Sequence, residues 1–375
     1  MIIRGYKVQL EINNKQQTIL AQHLGVSRWA YNWAVAKKKE AFYNKERVPN
    51  HMELSKELVK LKKTEIPWMY NSSKFAPETA LKDCDAAFKA FCKNRKKKNI
   101  KKKKKFIKFK SKYCGIQSFR LGGESISVGS DYIVLPRIGK LKLIEKNYIP
   151  KDYKIYNATV SKRAGKWFVS AQVEIPDITP VNAINDVVGV DLGIKTLATC
   201  SNGDTFENPK ALRNNLKRLK RLQRQVSRRK IGSNNYVKAK QKLAKLHYRI
   251  SNIRKDCLHK TTSEIIDKNQ VIILEDLRIS NMLKNHTLAL SISDVGAYEF
   301  RRQTGYKADW NNREVIFADS FYPSSKLCSS CGHKNEDLTL KDRTFECKVC
   351  NNKIDRDLNA SLNLKSLYTG SFSEF

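Results

Sequence analysis

Acidic residues are the scarce class in this chain. Asp and Glu number 36 among 375 residues, against 73 Lys and Arg, giving a formal net charge of +37. Such a field repels itself unless a polyanion neutralises it. A solvated basic surface does not account for an excess of this size, so the composition points to a nucleic-acid partner. Long apolar runs are also missing. None reaches the roughly 18 residues that a spanning helix needs, which disfavours a membrane partner. The opening segment, MIIRGYKVQLEINN, alternates apolar and polar residues and lacks the apolar core of a secretory signal. The expectation is therefore a cytoplasmic protein. Its nine cysteines should be mostly reduced, so paired CxxC motifs read as metal sites rather than disulfides. Internal repeats are absent as well. What the chain does have is a hydrophobic content of 41%, enough for two or three domains with real cores.

Residues 4–12 put Tyr6, Val8, Leu10 and Ile12 on one face, the strand period. A helical pattern follows, and the spacing predicts that Gly25 ends one helix and Ser27 caps the next, a possible helix-turn-helix. A further helix is predicted over PETALKDCDAAFKAFCKN, with Pro77 in its first turn. Residues 93–112 contain thirteen Lys or Arg among twenty, too charged to fold alone. They form either a solvated arm or a phosphate-binding strap, with Lys96, Lys97, Lys98, Lys101, Lys102 and Lys103 as its candidate contacts. Phe106 and Phe109 mark where folded structure resumes. Residues 115–178 read as all-β, including one strand-like stretch, YIVLPRIGKLKL, and a hairpin turning near Ala164 and Gly165. The first strand should join this sheet, so a helical block at about 14–97 would be inserted into a β-barrel. The Pro-rich segment 176–186 is the best domain boundary. Beyond it come strand, turn and strand in VVGVDLGIKTLATCSNG, a basic helical pair over 212–260, and the strand QVIILEDL. REVIFADSFYPSSKLC is another strand, leading into a cysteine block. In the second helix of the pair, Leu243, Leu246, Ile250, Ile253 and Cys257 form an apolar seam. Residues after Leu367 are expected to be disordered.

Cys328, Cys331, Cys347 and Cys350 are spaced C-x2-C-x15-C-x2-C. Two thiolate knuckles close a tetrahedron, the pattern of a structural zinc ribbon with no open position for catalysis. His333 lies inside the loop and can compete as a ligand, but four cysteines suffice. Cys84, Cys92, Cys114, Cys200 and Cys257 are scattered and read as ordinary thiols. Asp191 follows the apolar run Val187, Val188, Val190, and Glu275 follows Val271 to Leu274. A strand-end carboxylate is costly in a core. Asp357 opens the amphipathic segment DLNASLNLKSL. Each has a plainer reading: a turn for Asp191, a lysine partner for Glu275, a helix N-cap for Asp357. Together, in so basic a chain, they suggest carboxylates holding Mg²⁺ beside phosphate. Adjacent strand residues point to opposite faces, so Glu275 and Asp276 cannot both face one metal pair. Asp355 and Asp357 pose the same choice.

The order of VGVDLGIKTLAT, ILEDLRISNM, YPSSKLCSSCG and DRDLNASLN resembles the three RuvC motifs and zinc ribbon of the TnpB family. These are transposon-encoded RNA-guided DNA nucleases related to the miniature type V CRISPR effectors. The resemblance covers about 187–365 and extends more loosely upstream. It implies an RNase H-like (RuvC) nuclease domain at 181–324 and 354–367, with a zinc ribbon at 325–353 that binds target nucleic acid. It also implies a wedge-type β-barrel at 1–13 and 98–180, with a helical recognition lobe at 14–97 and a tail at 368–375. By the same resemblance, Asp191, Glu275 and Asp357 are the catalytic acids, while Asp276 and Asp355 are their neighbours. They would hold two Mg²⁺ ions, beside one structural Zn²⁺, and leave 5′-phosphate and 3′-hydroxyl products. The partners implied are a guide RNA and double-stranded target DNA, bound by a monomeric protein. Ser73, Lys74 and Glu78 are candidate readers of a short motif adjacent to the target.

Three other readings compete. A guided repressor would bind without cutting, but the acid set is intact. An actin-like ATPase would need a second phosphate loop and an adenosine motif, and neither is present. A zinc-ribbon DNA-binding factor would not need the carboxylates. A DDE transposase is disfavoured because the motifs resemble those of RuvC nucleases.

Overall fold

Strict alternation at the N-terminus sets the first sheet. In the computed structural model, which describes residues 2–95, 106–112, 117–176, 183–339 and 342–369, strand β1 (Ile2–Glu11) buries Val8 and Leu10. The chain divides into two compact units, 1–176 and 177–375. The segment 176–186 spans this division, and its residues 177–182 lie outside the described residues.

In the first unit, β1 is followed by helices α1 (Asn14–Tyr43), α2 (His51–Thr64) and α3 (Phe75–Arg95). The chain then returns to the sheet through β2 (Gln117–Gly122), β3 (Ser127–Val128), β4 (Tyr132–Leu135), β5 (Gly139–Leu143), β6 (Ile155–Arg163) and β7 (Lys166–Ile175). Gly25 does not end a helix. α1 runs unbroken for 30 residues, and Ser27 is buried inside it. Its buried stripe, Leu20, Leu24, Ala30, Ala34, Lys38 and Ala41, continues across the glycine. Burial along that stripe outweighs the cost of about 1 kcal/mol for one interior glycine. The true start is a reciprocal capping box between Asn13 and Gln16, and Asn50 and Glu53 repeat it on α2.

The seven strands pair antiparallel in the order β2-β6-β7-β1-β5-β4-β3. Among the described residues no closed barrel is seen. β1 pairs with β7 from Ile2 to Leu10, but with β5 only at Leu10 and Glu11. The edge strand β2 is covered by α3 instead of closing onto β3. Thr79 Oγ1 donates to the Arg120 carbonyl at 3.1 Å, and Arg120 pairs with Asp83 at 2.9 Å. The β6–β7 turn places Ala164 and Gly165 at φ of 51° and 84°, the paired positive values that a two-residue hairpin requires. YIVLPRIGKLKL folds as two strands around left-handed Arg137 and Gly139 rather than one. Phe106 docks among Phe42, Phe88 and Phe91 at centroid distances of 5.5, 5.9 and 5.2 Å, so folded structure does resume there. Lys96, Lys97, Lys98, Lys101, Lys102, Lys103 and Cys114 lie outside the described residues.

The second unit begins with β8 (Asn185–Leu192), β9 (Thr196–Cys200) and β10 (Thr205–Glu207). Helices α4 (Ala211–Ser227) and α5 (Asn234–Lys268) precede β11 (Asn269–Glu275). Next come α6 (Ile279–Met282), α7 (Ala289–Val295), α8 (Ala297–Trp310) and β12 (Glu314–Ala318). The short hairpin β13 (Thr344–Glu346) and β14 (Lys353–Asp355) leads into α9 (Arg356–Thr369). The sheet order is β10-β9-β8-β11-β12, with β8, β11 and β12 parallel and the first three strands an antiparallel meander. The seam of α5 packs Leu243, Leu246, Ile250 and Ile253 against Ala211, Leu212, Leu219 and Leu222 of α4, while Cys257 turns to the sheet core. Tyr368 and Thr369, expected in a disordered tail, complete the last turn of α9, and 370–375 lie outside the described residues. Among the described residues, no helix is long and apolar enough to cross a membrane.

Candidate functional site

Two parallel strands bring the first two acids together. β11 and β8 pair Leu274 with Val190, so Glu275 and Asp191 follow side by side on one face. The third acid arrives with α9, which lies directly on β8. A Cβ added at Gly189 would fall 2.0 Å from the Ser361 carbonyl oxygen, so only glycine permits the helix to approach this closely. Two residues along the strand advance by about as much as four along a helix. Asp357, one turn before Ser361, therefore lies beside the end of β8. Its Oδ2 would be 3.9 Å from a Cβ on Gly193. Gly189→Ala should push α9 off the sheet. We expect a loss of about 3 kcal/mol or more in unfolding free energy, read as a lower denaturation midpoint with unchanged slope.

Electrostatics report the same convergence. Burial first, then the negative charges of Glu275 and Asp357, push the Asp191 carboxyl up to about 8. Arg356, 3.5 Å from Asp357 Oδ1, opposes the shift. Three carboxylates with so little compensation favour a divalent cation and fit hard-metal chemistry. The other two acids are held by neighbours, of which the sequence reading missed Ser324 and left the role of Asp355 open. Ser324 Oγ donates to Glu275 Oε1. Asp355 Oδ1 accepts from the amides of Asp357 and Leu358 at 2.9 and 3.1 Å. Asp355 is therefore the N-cap of α9, a role the sequence left open for Asp357, whose side chain lies instead near Gly193 and Asp191. Asp276 faces elsewhere, pairing with Arg301.

Asn359, Ser361 and Asn363 are fully buried, which an amphipathic reading of α9 does not explain. Asn359 and Asn363 tie the helix to the loop that runs from β12 into the cysteine block, where the predicted strand has already ended at Ala318, while Ser361 Oγ donates to the Leu358 carbonyl within the helix. Asn359 accepts from the Ser329 amide at 3.0 Å and donates to the Leu327 carbonyl at 2.6 Å. Asn363 donates to the carbonyls of Ser324 and Leu327, both at 2.7 Å. The repeat of Asn at i and i+4, in a helix otherwise apolar on that side, was the available signal.

The four cysteine sulfurs of the block lie within 4.8 Å of one another. Cys328 and Cys350 are 3.6 Å apart, and Cys331 and Cys347 are 3.5 Å apart. Zinc–sulfur bonds of about 2.3 Å in a tetrahedron give edges of about 3.8 Å, so the thiolates fit a closed zinc site. His333 contributes a backbone carbonyl, which accepts from the Cys328 amide at 2.9 Å. Cys84 and Cys200 are buried thiols pushed up to about 11 and 12 by burial, in keeping with inert core positions.

Ser73, in the first unit, is buried, and its amide donates to Nε2 of the buried His23 at 3.0 Å. Lys74 is exposed beside the Phe75 ring, and Glu78 pairs with Lys82 at 2.7 Å.

Three family profiles match the chain. One described as "Probable transposase" (OrfB_IS605) covers 170–286, one described as "Cas12f1-like, TNB domain" covers 298–364, and one described as "Helix-turn-helix domain" covers 1–47. The last name describes the profile, whereas here its helical part is one continuous helix. A curated "Putative RNA-guided DNA endonuclease" from Streptomyces pristinaespiralis is 34% identical, over 96% of this chain and 88% of its own length. A relative of the same description from Escherichia coli K12 is 32% identical, over 96% and 91%. Among solved structures, the Cas12f1–sgRNA–target DNA complex aligns over 97% of this chain and 98% of its own, with a TM-score of 0.55 at 14% identity. That likeness is one of fold.

Proposed function

Because this chain belongs to the TnpB family of RNA-guided DNA endonucleases, we propose that Asp191, Glu275 and Asp357 are the acids with which it cuts DNA. The protein is an RNA-guided DNA endonuclease, and its partners are a guide RNA and target DNA. The observation that carries the site reading is the convergence of the acids on one sheet face, where two of them raise the pKa of the third.

The second unit is read as an RNase H-like (RuvC) nuclease domain, with the zinc ribbon preceding its last helix. Asp191, Glu275 and Asp357 would hold two Mg²⁺ ions, which supply an activated water and stabilise the leaving 3′ oxygen. The chain's own part is orientation. Ser324 fixes Glu275, Asp355 caps the helix that presents Asp357, and Gly189 admits that helix to the strand. Four thiolates would hold one Zn²⁺ as a structural ion. The basic run 93–112 supplies phosphate contacts, and base pairing with the guide supplies sequence specificity.

Strand alternation gives the test. Glu275→Ala should reduce target cleavage by about 10³-fold or more while guide and target binding persist. Asp276→Ala removes an ion pair whose side chains are about 40% exposed (42% for Asp276, 40% for Arg301) and should cost under about 1 kcal/mol of stability with most activity kept. Equal loss of cleavage in both folded variants would overturn the assignment of Glu275.

A further inference from the structure

A cavity of about 630 Å³ opens in the first unit between α1 and the turn at 67–72. That size falls within the roughly 300–1,000 Å³ of small-ligand sites. Its walls hold three of the chain's five tryptophans. Trp29 and Trp33 stack with an 8° interplanar angle at 6.1 Å, and Trp68 stands edge-on to Trp29 at 6.2 Å. Trp29 and Trp33 are partly buried against the core of this unit, and Trp68 lies outside it. Trp68 is 46% exposed, whereas Trp167, which does belong to the core of this unit, is 2% exposed. The side chains of Gln22, Arg28 and Asn71, also in the wall, have no hydrogen-bond or ion-pair partner among the described residues. A basic segment is fastened to the rim. Asn32 clamps the Lys110 backbone through bonds of 3.0 and 2.7 Å, and the Lys110 ammonium lies 4.0 Å from the Tyr31 ring centroid.

We propose that this cavity receives one unstacked nucleobase of the guide RNA. Indole faces supply a stacking platform that any base can use. The amides of Gln22 and Asn71 meet the polar base edge, and Arg28 and Lys110 meet the flanking phosphates. Structured RNA presents unstacked bases in loops and bulges at no cost, whereas a base in duplex DNA must first be extruded. That difference selects the RNA as the occupant. The inference also explains Gly25, which the sequence marks as a helix end but which lies mid-helix in the cavity wall. A Cβ there meets nothing within 4 Å, so the glycine keeps the space open.

Gly25→Leu is the decisive variant. It places a side chain in the cavity wall, where a Cβ meets nothing within 4 Å, and raises helix propensity, so the chain should melt at or above the wild-type temperature. The probe is the RNA that copurifies with the wild-type chain, transcribed with 4-thiouridine. We expect Gly25→Leu and Trp68→Ala each to raise its Kd by about 10-fold, with Trp68→Phe retaining most of the affinity. Photo-crosslinks to peptides carrying Trp29 or Trp68 should appear in wild type and vanish in Gly25→Leu. An unchanged Kd in Gly25→Leu overturns the proposal. So do crosslinks confined to lysines, or crosslinks that arise only from thiothymidine in target DNA. The proposal rests on the guide-RNA reading, and the two failures are distinct. If the wild type neither binds RNA nor cuts its target, the reading fails. If it does both and Gly25→Leu is indistinguishable from it, the cavity assignment alone fails.

Discussion

A chain carrying Asp357→Ala is expected to bind guide RNA and target DNA and to cut at least about 10³-fold more slowly than wild type. The expectation follows from where its carboxylate stands: beside Gly193, raising the pKa of Asp191 from the first turn of α9. Its backbone role is minor, because Asp355 and not Asp357 caps the helix. The metal-free variant should melt no lower than wild type, since one of three mutually repelling carboxylates is gone. Asp355→Ala is the counterpart. It removes the cap and should cost about 1 kcal/mol of stability while leaving substantial cleavage. Measuring cleavage, target binding and melting on both variants separates the roles. If Asp357→Ala cuts at near the wild-type rate while Asp355→Ala is dead, the third acid has been assigned to the wrong side chain.

Cys347→Ser should fail in another way. The ribbon's own apolar cluster is small: Cys328, Phe345 and Cys347 are buried, with Cys331, Leu338 and Ile354 packed around them. That is too little to order a loop, so metal binding must supply its folding energy, about 10–16 kcal/mol for a structural zinc site at neutral pH. Removing one thiolate should drop zinc content well below one per chain. The damage should then reach the acids, because Asn359 and Asn363 bind the segment entering the first cysteine knuckle from the same helix that carries Asp357. Cleavage should fall by about tenfold or more, and added Mg²⁺ should not restore it. Asp357→Ala, by contrast, should keep its zinc. Full zinc content and full activity in Cys347→Ser would overturn the ribbon assignment.

Local rules made much of this legible. The alternation of β1, the seam of α5 and the cysteine spacing all carried to the structure, because each depends on neighbours close in sequence. Rules of the same reach misled where packing opposed them. Gly25 has the chemistry of a helix end, yet the stripe from Leu20 to Ala41 carries the helix through it. YIVLPRIGKLKL has the composition of a strand, yet left-handed Arg137 and Gly139 fold it in two. The expected barrel is not seen closed among the described residues, where α3 lies against the β2 edge.

By itself, then, the sequence pointed to a polyanionic partner, to a site of four clustered thiols and to a short list of acids. Charge balance, ligand type and strand period are properties of residues and their spacing. Only the tertiary structure decided which aspartate caps α9 and which lies near Asp191, since the two are separated by a single residue. It also decided why Gly189 must be glycine, through a carbonyl 172 positions away in the chain (361 − 189). The purpose of the buried asparagines on α9 was settled there too. Each of these turns on the direction of a side chain toward a partner distant in sequence, which no local period encodes.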